Sequence, residues 1–190
     1  MTQMYINQAT LSMPSLIPPL LLLVSLSSTA QVFSTSTGVA GFNKKMPVEN
    51  IKAINRAISV ELITDKNEVT VRIPISEFEF SNRLMQSNFN NDYLESQKFP
   101  MAVFTGSLSE NVNFKIADEY PVTIKGSLLL HGIRKNIELK GIVNIDKEQI
   151  VFDGGFPIRL EDFKIDPPRL GFEKISVINV NTHFELKIEQ

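Results

Sequence analysis

Period-two alternation runs through most of the chain beyond residue 50, and it restricts the fold more than any other feature. Val69, Val71, Ile73 and Ile75 alternate with Thr70, Arg72, Pro74 and Ser76. Val122, Ile124, Gly126, Leu128 and Leu130 alternate with Thr123, Lys125 and Ser127, and only Leu129 breaks the polar side. Ile137, Leu139, Gly141, Val143 and Ile145 alternate with Asn136, Glu138, Lys140 and Asn144. Near the end, Ile178, Val180, Thr182, Phe184, Leu186 and Ile188 alternate with Asn179, Asn181, His183, Glu185 and Lys187. Successive strand side chains point to opposite faces, so these are antiparallel strands, dry on one face and wet on the other. Weaker patterns place further strands at Gln31–Phe42, Ile54–Ile63, Ala102–Leu108 and Ile150–Leu160.

Turn chemistry separates the strands: Asp65-Lys66-Asn67, His131-Gly132, Asp146-Lys147-Glu148, and Asp166-Pro167-Pro168 before the last one. One segment departs from the strand period. Met85, Phe89 and Tyr93 recur every four residues within Asn82–Leu94, which predicts a short helix with one apolar stripe packed on the core. About eight strands, one short helix and no βαβ alternation describe an all-β protein, an antiparallel barrel or sandwich, and the eight-stranded barrel is the form with a lumen. Such an interior is filled by side chains or holds one small ligand. Strands of nearly ten residues reach about 33 Å, and a long, narrow, dry tube suits a chain-like ligand.

Glycines mark where that ligand would lie. Gly106, Gly126, Gly141 and Gly154 fall on the apolar faces of their strands, beside Phe104, Leu128, Leu139 and Phe152. Glycine inside a strand marks a bend or a close approach by something else. Bends would leave a filled barrel; open volume along the lumen would leave room for a ligand. The candidate lumen residues are Val71, Ile73, Phe89, Phe104, Gly106, Ile124, Gly126, Leu128, Leu139, Gly141, Phe152, Gly154, Phe156, Ile158, Ile178, Val180 and Phe184.

The N-terminus is a separate problem. The first charged side chain is Lys44, and Leu16–Leu26 is an apolar run interrupted by two prolines. A membrane span needs about 20 apolar residues, so no stable span is expected. The run has the length of a signal-peptide core, and Ser28-Thr29-Ala30 supplies small residues for cleavage before Gln31. Residues 1–30 are therefore assigned as a signal peptide, from Met1 or Met13, and 31–190 as the barrel domain. The n-region lacks the usual Lys or Arg, the one departure from the pattern. Export would leave the protein periplasmic or secreted.

Composition closes off much chemistry. The chain has no cysteine, which excludes disulfides, thiolate metal sites and a cysteine nucleophile. A net charge of −2 over 190 residues gives no electrostatic footprint for nucleic acid. Two histidines, His131 and His183, leave no histidine-rich metal site, and no metal or cofactor is expected. His131 lies in a hairpin turn with no nucleophile-elbow serine in the chain to activate, so it is read as stabilising the turn. His183 lies on a polar face and is read as solvated. Glu161 and Asp162 are adjacent in sequence and so point apart in a strand. No catalytic residue is assigned. Arg159, Lys164 and Arg169 surround Asp166-Pro167-Pro168; they make a solvated loop, or alternatively a rim that meets an anionic lipid head.

Three segments resemble one family in order and spacing. Asn91–Gly106, with Phe99-Pro100 leading into Phe104, is similar to the YceI-like helix-to-strand segment. Tyr120–Lys135, containing Gly126, Leu128 and His131-Gly132, resembles its central hairpin, and Phe156–Ile165, with Asp162-Phe163, its following strand and turn. The resemblance spans about Gly38 to Ile188. It implies an extended lipocalin-like barrel, often exported to the periplasm, that binds a long isoprenoid or similar apolar lipid in its lumen as carrier or store, and it supplies no catalytic residues. Ser34–Ser36 and Gly38 depart from the family's fuller alternation in the first strand. The competing expectation is a filled barrel serving as a structural or protein-interaction module; a homodimer is open to either.

Overall fold

The computed structural model describes residues 31–46, 50–146, 149–170 and 173–188. The assigned leader, residues 1–30, and Lys147-Glu148 of one expected turn lie outside them. Eight long strands carry the fold: β1 (Val32–Lys44), β2 (Ile51–Ile63), β3 (Glu68–Pro74), β5 (Met101–Leu108), β6 (Glu119–Leu130), β7 (Ile133–Ile145), β8 (Gln149–Arg159) and β11 (Val177–Ile188). Three two-residue strands join them: β4 (Glu79–Phe80), β9 (Arg169–Leu170) and β10 (Glu173–Lys174). Every pairing is antiparallel, in the order β1-β11-β8-β7-β6-β5-β3-β2, and β2 pairs back onto β1. Of the barrel and the sandwich that the alternation allowed, the closed eight-stranded antiparallel barrel that the resemblance implied is the fold, and closure leaves no exposed edge among the long strands.

Local chemistry sets the connections. His131 and Gly132, at φ 50° and 73°, form a two-residue turn between the paired Leu130 and Ile133. Positive φ at both central positions matches the twist of the flanking strands. Asn67, at φ 55°, bends the β2–β3 connection in the same left-handed region, where its short amide side chain is tolerated. β3 ends at Pro74, one turn before the alternation stops, and Ile75–Glu77 curl into a 3₁₀ turn that still buries Ile75. Asn55, fully buried, donates from Nδ2 to the Pro74 carbonyl at 2.7 Å and accepts from the Ala57 N–H at 2.9 Å, fixing that departure.

The expected helix is present but changes pitch. α1 (Arg83–Asn88) starts at Asn82, whose Oδ1 accepts from the N–H groups of Leu84 and Met85 at 2.9 and 3.3 Å. Phe89–Tyr93 then form a π turn, closed by the Leu94 N–H on the Phe89 carbonyl at 2.8 Å. The segment lies across one end of the barrel, with Phe89 and Tyr93 packed against the core.

β1 is irregular where its sequence loses apolar alternation. Its register shifts between Ser34 and Val39 against β11, and twice between Thr35 and Ala40 against β2. Two bulges there strengthen the local bend that helps close the sheet.

Candidate ligand cavity

The lumen is divided. At the helix end, a cavity of about 150 Å³ reaches the surface beside the exposed Lys44 and Arg169. Its floor and walls come from β1 and β2 (Phe42, Ile51), β4 (Phe80), the helical segment (Met85, Asn88, Phe89, Tyr93, Leu94), the loop after β8 (Leu160, Ile165, Pro168) and the entry to β11 (Ile175, Ile178). Phe42, Phe80 and Phe89 make its aromatic wall and Phe78, outside the lining, packs on Phe42 and Phe89, with ring centroids 5.0–6.2 Å apart in tilted or edge-on pairs. Lys44 and Arg169 complete the lining, so its formally charged members are both cations.

At the far end a second void, about 30 Å³, is lined by apolar side chains, Val71, Phe104, Ile124, Leu139, Phe152 and Phe184 among them. That is about two to three times the 10–15 Å³ one water needs, too small for a lipid chain. No residue lines both spaces. Between them lie Ala40, Ile58, Leu128, Phe156 and Val180, all buried, with Ile58 at 0% and Leu128 at 2% exposure.

Phenylalanine rings explain the packed end and correct the expectation of empty volume beside the glycines. Gly106 and Gly126 are cross-strand partners, as are Gly141 and Gly154. A Cβ on Gly106 would lie 2.8 Å from Phe104 Cζ, and one on Gly126 2.7 Å from the same atom. The Phe152 ring covers Gly141 and Gly154 in the same way, and a Cβ on Gly38 would meet Phe184 at 2.8 Å. The rings of Phe152 and Phe184 then stack with centroids 5.9 Å apart. Each glycine seats a ring folded back along the sheet, which recovers the apolar contact that glycine lacks.

The candidate lumen residues therefore separate into groups. Phe89 and Ile178 line the mouth cavity, whereas Val71, Phe104, Ile124, Leu139, Phe152 and Phe184 line the far void. Leu128, Phe156 and Val180 belong to the packed layer, and Ile73 and Ile158 pack against the core from half-buried positions. Most of the mouth lining was missed as ligand-facing. One signal was available: the Met85–Phe89–Tyr93 stripe, assigned to core packing, faces the cavity.

His131 does more than hold its turn. Its Nε2 lies 2.8 Å from Oε2 of Glu95, its Nδ1 lies 3.1 Å from the Phe163 carbonyl oxygen, and Phe99 packs edge-on at 4.5 Å. It thereby ties the loop after the helix and the turn after β8 to the β6–β7 hairpin. Nearby residues of both tied segments, Leu94, Leu160 and Ile165, border the cavity. Both ring nitrogens are spent on these contacts, leaving neither to take a proton from a substrate. The hydrogen bond from His131 holds the Glu95 carboxyl below its ordinary value.

Elsewhere the titratable groups are superficial. His183 sits 2.7 Å from Asp153 and 3.4 Å from Glu185 on the outer face, and the bond to Asp153 raises its pKa. Glu161 pairs with Lys174 at 2.6 Å. Arg159 lines an outer depression with Pro157 and Asp162, away from the cavity. Among the described residues no group of three His, Asp or Glu side chains is placed to hold a metal ion, and no helix is long and apolar enough to cross a membrane.

Solved structures share this architecture. A polyisoprenoid-binding domain from Saccharophagus degradans matches with TM-score 0.69 at 13% identity, covering 85% of this chain and all of that one. BcnA of Burkholderia cenocepacia matches at 0.60 and 17%, covering 83% and 96%. The YCEI protein of Campylobacter jejuni matches at 0.60 and 21%, covering 77% and 90%. No curated protein matches by sequence. The family model described as YceI-like domain matches residues 25–189, nearly the whole chain, and the protein belongs to the YceI-like domain family.

Proposed function

We propose that this barrel binds the apolar chain of a long lipid, isoprenoid or similar, and acts as a carrier or store rather than a catalyst. The mouth cavity carries the proposal: about 150 Å³ lined almost wholly by aliphatic and aromatic side chains and reaching the surface at Lys44 and Arg169. A neighbour of the same fold is described as polyisoprenoid-binding. The engagement of both His131 nitrogens favours binding over catalysis. The apolar leader core before Ser28-Thr29-Ala30 supports export to the periplasm or medium.

The resting cavity is smaller than the 300 Å³ or more common in ligand sites. It accepts the first part of a chain, and deeper entry requires the layer of Ile58, Leu128, Phe156 and Val180 to part. The packed far end favours a second reading, a filled barrel that needs no ligand. Native mass spectrometry with lipid extraction on protein taken from its own compartment separates the two. A co-purifying apolar lipid, lost in Ile178→Trp while melting stays near that of delipidated wild type, supports the binder. Wild type free of lipid, and unresponsive to added isoprenoid, leaves the filled barrel.

A further inference from the structure

We propose that the cavity is selective for an amphiphile with an anionic head, carboxylate or phosphate, met at the mouth by Lys44 and Arg169. This rests on the lipid-binding reading and adds the head's charge to it. Two segments far apart in sequence, the end of β1 and the start of β9, bring one cation each to the rim of a single apolar cavity. Among the described residues, no Asp or Glu lines that cavity.

Some cations of the barrel are neutralised locally, and the others described stand outside the lining of this cavity. Lys174 pairs with Glu161, Arg56 with Glu79, Lys98 with Glu95 and Lys125 with Glu138. Lys44 and Arg169 make no ion pair with a described residue and remain exposed. Two like charges beside a dry cavity form a field that an anion lowers and a cation raises. Arg presents a planar fork suited to carboxylate or phosphate, and Lys adds a mobile point charge. A chain seated against the aromatic wall would leave its head at this rim, where solvent completes the hydration.

Affinities of four probes with one twelve-carbon chain test this: dodecanoate, dodecyl phosphate, dodecanol and dodecyltrimethylammonium. Wild type is expected to bind the two anions about tenfold more tightly than the alcohol, and the cation most weakly. The preference should shrink with added salt. It should fall to about unity in the double variant Lys44→Gln, Arg169→Gln, read as the ratio of anion to alcohol affinity within each protein. Arg159→Gln, outside the cavity, should keep it. Equal binding of dodecanoate and dodecanol by wild type, or a preference that survives the double variant, overturns the anionic head while the lipid-binding reading stands. If no probe binds, the lipid-binding reading falls with it.

Discussion

His131 is where the residue scale decides most. Its side chain is only 11% exposed, and its two nitrogens reach residues 32 and 36 positions away. Replacing it with alanine removes both contacts and leaves the Phe163 carbonyl without its partner, a loss of about 1–3 kcal/mol. At this chain length that lowers the melting temperature by about 2–4 °C per kcal/mol, measurable by calorimetry. The same variant tests Glu95, whose carboxyl is held low chiefly by this hydrogen bond. A group with a depressed folded pKa stabilises above its unfolded value, and that contribution disappears as pH falls through the folded one. In His131→Ala the Glu95 resonance should titrate closer to the ordinary carboxylate value, and acid melting should lose that component. His183 has the opposite sign: Asp153 raises its pKa, so its contribution is full below the unfolded value and is lost as pH rises through the folded one. Asp153→Asn should flatten the loss of stability across that window, from near pH 6.5 upward; an unchanged slope would show that the pair contributes nothing.

Paired strands, not single glycines, are the unit at the next scale. Gly141 and Gly154 face each other across β7 and β8, and a Cβ on Gly141 would run into the Asp153 carbonyl oxygen as well as the Phe152 ring. Even Gly141→Ala should therefore cost about 1–3 kcal/mol by overpacking, visible as an earlier urea midpoint. Its lipid content should be unaffected, because the clash lies at the packed end and not at the mouth. The helical element behaves differently. Phe89 is half-buried and stands in the aromatic wall, 5.0 Å from Phe80 and 5.4 Å from Phe78. Phe89→Ala should widen the cavity at the expense of that wall and weaken binding of a twelve-carbon chain several-fold, at about 0.8 kcal/mol for each methylene that loses its cover. Titration calorimetry against wild type reads it directly. The π turn that carries Phe89 is the kind of local irregularity found where helices serve sites.

For the whole molecule, ligand binding and stability are linked. A lipid that binds only the closed barrel at a hundred times its dissociation constant adds about 2.7 kcal/mol, so the delipidated protein should melt about 5–10 °C lower than the loaded one. Scanning calorimetry before and after extraction measures this. Coincident melting of the two forms would argue for a filled barrel. The barrel has its first long strand starting at Val32, two residues beyond the proposed cleavage after Ala30. Cleavage there would spare every described strand, and N-terminal sequencing of exported protein should begin at or near Gln31.

Much of this was legible because alternation is a local property. Each strand's dry face follows from its own sequence, and burial of Val69, Val71, Val122, Ile124, Leu139, Val143, Val180, Phe184 and Leu186 follows the period. The glycines, too, announced a close approach. What approached them could not be read locally, since a ring folded back over a glycine and a ligand beside it require the same missing side chain. Nor could His131 be matched with Glu95, or Lys44 and Arg169 be assigned to one cavity, because only the tertiary fold brings such distant positions together. The alternating chain by itself determined antiparallel strands with one apolar face each, and the β1–β2 pairing closed them into a barrel with an apolar interior. The division of that interior into a packed end and an open mouth was decided by tertiary structure, where the volumes of Phe104, Phe152 and Phe184 meet across strands.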